Sequence, residues 1–322
     1  MQIKKIIKKI GCKYNRVRDL DYNTAVMIYS SILAGEIADL ELGSILMSFR
    51  IKSESVEEIR GFYYAMQQHV IQLQAPLNRP MPIIIPSYNG ARRQANLTPL
   101  LALLLVKLGF PVLLHGIKSD PSRITTNAVL AELGIKEVSG VEEMQLLLNQ
   151  GQLVFISIDR LCKPIANQLL LRWRMGVRNS AHTLVKLVNP FSEHAALRIT
   201  SVSHLIYISR ITKFLQSIEA SAILLIGTEG EVYANPLCCS KMNIIQGTSP
   251  ISAVLCKYEP ALPVTLPKSK SPRDTAIWVK EVINGEHMVP QSLRMQLACC
   301  LLASGESKTL EQAQAHLKHV GI

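Results

Sequence analysis

The chain has 322 residues, 48% hydrophobic and 18% charged, with no low-complexity tract, which excludes an intrinsically disordered protein and leaves length for a large core. Its 35 Lys and Arg against 24 Asp and Glu give a net charge of +11, a field that attracts polyanions such as nucleic acid, an anionic membrane or a phosphorylated ligand. The longest apolar stretch, Leu100 to Val106, stops at Lys107, short of the roughly 20 residues of a membrane span, and the start MQIKKIIKKIG has no signal-peptide pattern, so a soluble, cytoplasmic protein without a membrane partner is expected.

In chain order, residues 1–75 read as helical. Ile3, Ile6, Ile7 and Ile10 fall at i, i+3, i+4 and i+7, with Lys4, Lys5, Lys8 and Lys9 on the remaining arc, which predicts a short basic amphipathic helix. Thr24 to Ile32 and Leu42 to Phe49 continue the period, and Ser55-Val-Glu-Glu58 is a capping-box pattern ahead of a helix carrying Phe62, Ala65, Met66 and Val70. Prolines crowd residues 76–82 and mark a boundary, and Ile83 to Ile85 then reads as a buried parallel strand. A helix near Leu100 to Leu108, a strand at Pro111 to Leu114, a helix near Asn127 to Leu133 and a strand at Leu153 to Ile158 predict βαβ units. Residues 161–190 are helical again. A strand at Ala196 to Ser201, a helix at His204 to Ile218 and a strand at Ala222 to Ile226 follow, with helices from about Asp274 and turns at Gly285 and Gly305. The expected fold is α/β: a small all-helical N-terminal domain (1–75, with 161–190 packing on it) and a larger α/β domain (76–160 and 191–322) around a mostly parallel central sheet.

The cations are unevenly placed. Arg160, Lys163, Arg172, Arg174, Arg178 and Lys186 form a block with no Asp or Glu between them, and Trp173 within it is expected to be a core anchor. In the helix His204 to Ile218, Leu205, Ile208, Ile211, Leu215 and Ile218 form one stripe, while Arg210 and Lys213 project from the other side. Arg210, Lys213, Arg198 on the preceding strand, Arg172, Arg174, Arg178, and Arg92 with Arg93 in the loop after the first strand are the candidate polyanion contacts. Lys268 and Lys270, in the proline-bounded LPKSKSP, are expected to lie off that track. Seven cysteines, Cys12, Cys162, Cys238, Cys239, Cys256, Cys299 and Cys300, show no C-x-x-C spacing and indicate neither a zinc site nor a disulfide framework.

Long blocks then carry a resemblance. GEIADLELGSILMSFRIKSESVEEIRGFYYAM (35–66), Asn96 to Gly109, His115 to Gly134 and Val282 to Leu310 resemble segments of the anthranilate phosphoribosyltransferases and their relatives, the pyrimidine nucleoside phosphorylases, in glycosyl transferase family 3. PSYNGARRQANLTPLL (86–101), RWRMGVRNSAHT (172–183) and GTEGEVYANP (227–236) resemble one bacterial branch, the YbiB-type paralogues. Enzymes of the family hold a phosphoribosyl diphosphate on a glycine-rich loop with carboxylate-bound Mg²⁺. Here the loop falls on Pro86-Ser-Tyr-Asn-Gly90 and the family's K-H-G-N on Leu114-His-Gly-Ile117. Val232 and Tyr233 stand at the acidic pair, with Glu229 and Glu231 nearby. Arg172 matches a family arginine that contacts an aromatic acid. The resemblance thus implies no catalytic residues, no metal and no cofactor. It implies instead a homodimer, through the helical domain, that binds single- and double-stranded DNA and RNA with little sequence preference. A phosphoribosyl or glycosyl transferase of unknown substrate is the alternative, and a protein-interaction module a third.

Overall fold

The computed structural model describes residues 3–12, 18–238, 241–249, 251–255 and 265–322. Four helices come first: α1 (Ile3–Ile10), α2 (Tyr22–Ala34), α3 (Asp39–Lys52) and α4 (Val56–Gln67). Next are β1 (Ile83–Ser87), α5 (Thr98–Lys107), β2 (Val112–Gly116), α6 (Thr126–Glu132), α7 (Val141–Asn149) and β3 (Leu153–Ser157), then α8 (Ile158–Leu161), α9 (Lys163–Met175) and α10 (Ala181–Leu184). The chain continues with β4 (Leu197–Val202), α11 (Ile206–Ser217), β5 (Ser221–Ile226), β6 (Lys241–Gln246) and β7 (Ser252–Leu255), and closes with α12 (Pro272–Ile283), α13 (Gln291–Ala303) and α14 (Leu310–His319). It divides into two compact units, residues 1–71 with 158–188 and residues 72–157 with 189–322, so the breaks fall a few residues before the expected boundaries.

In the first unit, local chemistry sets the helix ends. The capping box of α4 is formed: Ser55 Oγ accepts from Glu58 N at 3.3 Å and the Glu58 carboxylate accepts from Ser55 N at 2.8 Å. Glu58 is fully buried and also accepts from Leu20 N (2.8 Å) and Lys52 Nζ (2.5 Å), so one carboxylate joins the entry of α4, the approach to α2 and the end of α3. Tyr29 stacks on Phe62 at 4.6 Å, and Phe49 meets Phe62 edge-on at 4.9 Å. Helix α1 buries Ile6 and Ile10 and leaves Lys4, Lys5 and Lys8 in solvent, as its period requires.

The second unit is built on a seven-stranded sheet of order β3-β2-β1-β4-β5-β6-β7. The first five strands are parallel, and β6 and β7 add antiparallel at one edge. Every residue of β1, β2 and β4 is buried, which is why the first two carry the apolar runs Ile83 to Ile85 and Val112 to Leu114. Ile83, Ile85, Val112, Leu114, Ile223 and Leu225 point into one core with α5, α6, α12, α13 and α14. Chain direction across the sheet reverses between β1→β2 and β4→β5. Right-handed crossovers therefore place α5 on one face and α11 on the other, and buried Ile211, Phe214 and Leu215 of α11 lie outside that core. The reversal makes a switch point at the carboxyl ends of β1 and β4, where open α/β sheets form their binding crevice.

No helix among the described residues is long and apolar enough to cross a membrane. Cys12, Cys162, Cys238, Cys299 and Cys300 are free thiols, while Cys239 and Cys256 lie outside the described residues.

Candidate anion-binding loop and basic surface

At the switch point, the turn after β1 meets the turn after β5. Asn89 N and Gly90 N donate to Glu231 Oε1 at 2.8 and 2.6 Å. Arg92 N donates to Glu229 Oε2 at 2.7 Å, and Arg93 N and Gln94 N donate to Glu229 Oε1 at 2.7 and 2.9 Å. Successive backbone amides aimed at one point form an anion-binding concavity. In this chain the anion is internal: two glutamates of the opposing turn fill it. Glu231 is wholly buried, and its second oxygen accepts from Thr98 Oγ1 at 3.3 Å.

The opposing turn is shaped to deliver those carboxylates. Glu229 has φ 52° and ψ 20°, a left-handed conformation that costs a non-glycine residue about 1–2 kcal/mol, which three charge-assisted hydrogen bonds offset. Gly230 follows at φ 89°, where a Cβ would lie 1.5 Å from Asn89 Nδ2. At Gly227 a Cβ would lie 1.7 Å from the Glu231 carbonyl oxygen, so both glycines are needed for the close approach. Burial works to raise the Glu229 pKa, but the amides of Gln94, Arg93 and Arg92 and the charge of Arg123 outweigh it, and the carboxyl is held below its ordinary value. It stays ionised near neutrality.

These residues do not suit the metal of a phosphoribosyl transfer. Val232 and Tyr233 belong to the apolar core, and Tyr233 OH is spent on the Ala95 carbonyl at 2.9 Å. Glu229 and Glu231 turn their oxygens toward amide hydrogens, a field that repels a cation, and no group of three metal-ligating side chains occurs among the described residues. The His-Gly pair at 115–116 has a packing role. Burial lowers the His115 pKa to about 3, its Nδ1 meets Tyr88 OH at 2.5 Å, and a Cβ on Gly116 would lie 2.3 Å from the Ser87 carbonyl oxygen where β1 and β2 run side by side.

The candidate cations divide. Arg92 and Arg93 are exposed on the amide turn. On α11, Lys213 is exposed, and Arg210 is half-buried with its guanidinium 5.9 Å from the Tyr207 ring centre. Arg198 does not belong with them: it is 1% exposed and ion-paired with Glu193, because a strand covered on both faces cannot carry an unpaired charge. In the helical unit, Arg174 pairs with Asp39 at 2.7 Å and Arg178 lends its carbonyl to Arg50 Nη1 at 2.8 Å. Arg172 lies over the Trp173 ring at 4.2 Å. Trp173 is 54% exposed and therefore not the core anchor its residue type suggested. Within α11 the apolar stripe is shorter than expected, since Leu205 precedes the helix and is 79% exposed, while Phe214 takes its place in the core.

Lys268 and Lys270 correct a further expectation. Lys270 Nζ donates to the Arg92 carbonyl at 2.7 Å, and both lysines line the same cleft as Arg93, so this segment lies beside the amide turn and not away from it. Sequence reasoning missed this neighbour, and it missed the plugging role of Glu229 and Glu231. The one available signal was the pair of acids flanking a glycine in Gly227-Thr-Glu-Gly-Glu231.

Comparison with known proteins places this geometry. Residues 4–70 match the helical bundle domain of the glycosyl transferase family. The uncharacterized protein YbiB of Escherichia coli (strain K12) is 49% identical over 317 residues, 98% of this chain and 99% of the relative. An anthranilate phosphoribosyltransferase of Leifsonia xyli subsp. xyli is 26% identical over 66% of this chain and 60% of its own. Among solved structures, the anthranilate phosphoribosyltransferase of Thermus thermophilus superposes with a TM-score of 0.76 at 19% identity, covering 99% of this chain and 93% of that one. The Saccharomyces cerevisiae enzyme in complex with PRPP and Mg gives 0.74 at 16% identity, over 99% and 94%. These similarities fix the scaffold as that of the anthranilate phosphoribosyltransferases.

Proposed function

The chain belongs to the family of the Escherichia coli protein YbiB, and we propose that it uses its transferase-like scaffold to bind nucleic acid without sequence preference instead of transferring a phosphoribosyl group. The observation that carries this reading is the loop after β1, whose five amide donors are satisfied by Glu229 and Glu231. Amides already occupied by the carboxylates of the opposing turn are not available to a diphosphate. Two acids of a chain with net charge +11 are thereby drawn into protein contacts, while Arg92, Arg93 and Lys213 remain in solvent. Exposed, flexible cations neutralise phosphates and carry no base information, so single- and double-stranded DNA and RNA are all partners. The functional unit proposed is a cytoplasmic homodimer without metal or cofactor.

The test has two arms. Titration of labelled single-stranded DNA and RNA against salt should give log affinity falling linearly with log salt, to the same degree for unrelated sequences. Incubation with phosphoribosyl diphosphate, Mg²⁺ and anthranilate should give no product above background. Salt-independent or absent binding removes the nucleic-acid reading, and turnover lost on Glu229→Gln or Glu231→Gln restores the transferase.

A further inference from the structure

The cleft beside the plugged loop has two kinds of wall. It holds about 250 Å³ lined by Arg93, Gln94, Ala95 and Leu97 from the first turn, by Leu266 to Lys270, and by the buried Pro236. Arg93, Lys268 and Lys270 line it and are solvent-exposed, and Lys270 Nζ ties the walls together through the Arg92 carbonyl. Among the described residues, the two acids beside it are engaged. Glu229 accepts three amides, and Asp274, at the start of α12, accepts from Ser269 Oγ at 2.5 Å. Of the remaining lining, Ala95, Leu97, Pro236, Leu266 and Pro267 are apolar, and Gln94 and Ser269 are uncharged.

Cations above an apolar floor match a ligand in which phosphates alternate with flat, weakly polar groups. A single nucleic-acid strand has that character, because its phosphates meet the cations while an unstacked base or sugar covers the floor. A duplex keeps its base faces stacked inside and offers the floor nothing. A small phosphate would use the cations and leave the floor wet.

We propose that this cleft is a binding site for single-stranded nucleic acid, with one backbone phosphate held by Arg93, Lys268 and Lys270 and the adjoining nucleoside resting on Leu266 and Pro267. The site deepens the nucleic-acid reading and rests on it. Glu229 is its positioning residue: its carboxylate fixes the turn Arg92 to Gln94 in the place an external anion would otherwise have to take.

The experiment compares labelled single-stranded DNA with duplex of the same length across a salt series, for the full chain and folded variants checked by circular dichroism. Lys268→Glu with Lys270→Glu should weaken single-strand binding at least tenfold and reduce the salt slope by about 0.7 for each phosphate no longer neutralised. Lys268→Glu alone, which breaks no hydrogen bond among the described residues, should do so by several-fold and guards against misfolding of the double variant. Leu266→Ala should weaken single-strand binding two- to fivefold without changing the slope, and should leave duplex binding unchanged. The matched reversal Lys308→Glu with Lys318→Glu, beside and within α14 and outside the lining of the cleft, should have the smaller effect expected of net charge. If the two double reversals act alike, or if Leu266→Ala affects duplex equally, the cleft is not the site although nucleic-acid binding stands. If the unaltered chain binds neither form in a salt-dependent way, both readings fall.

Discussion

The carboxylate of Glu229 holds three of the five backbone amides that the loop after β1 turns toward the opposing glutamates. Its pKa is lower in the folded chain than in the unfolded one, so its contribution to stability is present above the ordinary value of 4.5 and is lost as pH falls through the depressed value. Glu229→Gln keeps the size but presents an amide to three backbone donors. It should cost about 1–2 kcal/mol near pH 7, a figure discounted for the partial exposure of the side chain. Urea unfolding of both forms checks this: the difference should be full at neutral pH and shrink below pH 4.5 as the parent carboxyl protonates. A gap constant down to about pH 3 would show that the carboxylate does not brace the turn. At Gly230 the constraint is steric, and alanine there should destabilise more than Glu229→Gln, since a Cβ and Asn89 Nδ2 cannot both fit and φ is positive.

At the scale of elements, α11 and α3 behave differently because their apolar residues are differently arranged. In α11, buried Ile211, Phe214 and Leu215 cluster on one side and Lys213 faces away, with Arg210 at the flank. Changing Arg210 and Lys213 together to Glu leaves the buried side intact, so the fold should persist while affinity for single strands drops at least tenfold and the salt slope falls by about 0.7 per phosphate released. The control is again Lys308→Glu with Lys318→Glu; equal losses from both pairs would leave net charge as the whole explanation and remove α11 from the surface. The parallel strands and most helices were legible in the sequence because burial on both faces writes continuous runs such as Ile83 to Ile85, and caps such as Ser55 with Glu58 fix helix starts. Helix α7 and the antiparallel strands β6 and β7 carry mixed polar and apolar patterns and were not anticipated. The candidate site was legible only in part. That loop 86–90 had lost its phosphate-binding character followed from Pro86 and Tyr88, whereas the filling of its Asn89 and Gly90 amides by Glu231, 141 or more residues away, depends on which turns the switch point brings together. The burial of Arg198 was equally hidden, since its partner Glu193 lies in a loop with no pattern of its own.

Over the whole molecule, the remaining issue is whether one copy acts alone. Helix α3 buries Ile45, Leu46 and Phe49 on one side, while Leu40, Met47 and Ile51, spaced seven and four residues apart, share the other and are 81%, 36% and 76% exposed. An apolar stripe of that kind on a charged chain is a surface that association covers, and a second copy of this chain is the proposed occupant. Leu40→Glu with Ile51→Glu places charge on the stripe without touching the buried side. In sedimentation at micromolar concentration, the parent should run as a dimer and the variant as a folded monomer. Nucleic-acid binding supplies a second readout. A dimer lets one long strand engage two basic surfaces, so the second contact is intramolecular and the affinity for long strands gains about 10²-fold over that for short ones. The variant should therefore bind an oligonucleotide too short to reach both copies as well as the parent does, yet lose most of the advantage on a long one. A parent that sediments as a monomer refutes dimerisation outright; a dimer that survives both substitutions moves the interface off α3; and a monomeric variant with undiminished long-strand affinity means that each copy binds on its own.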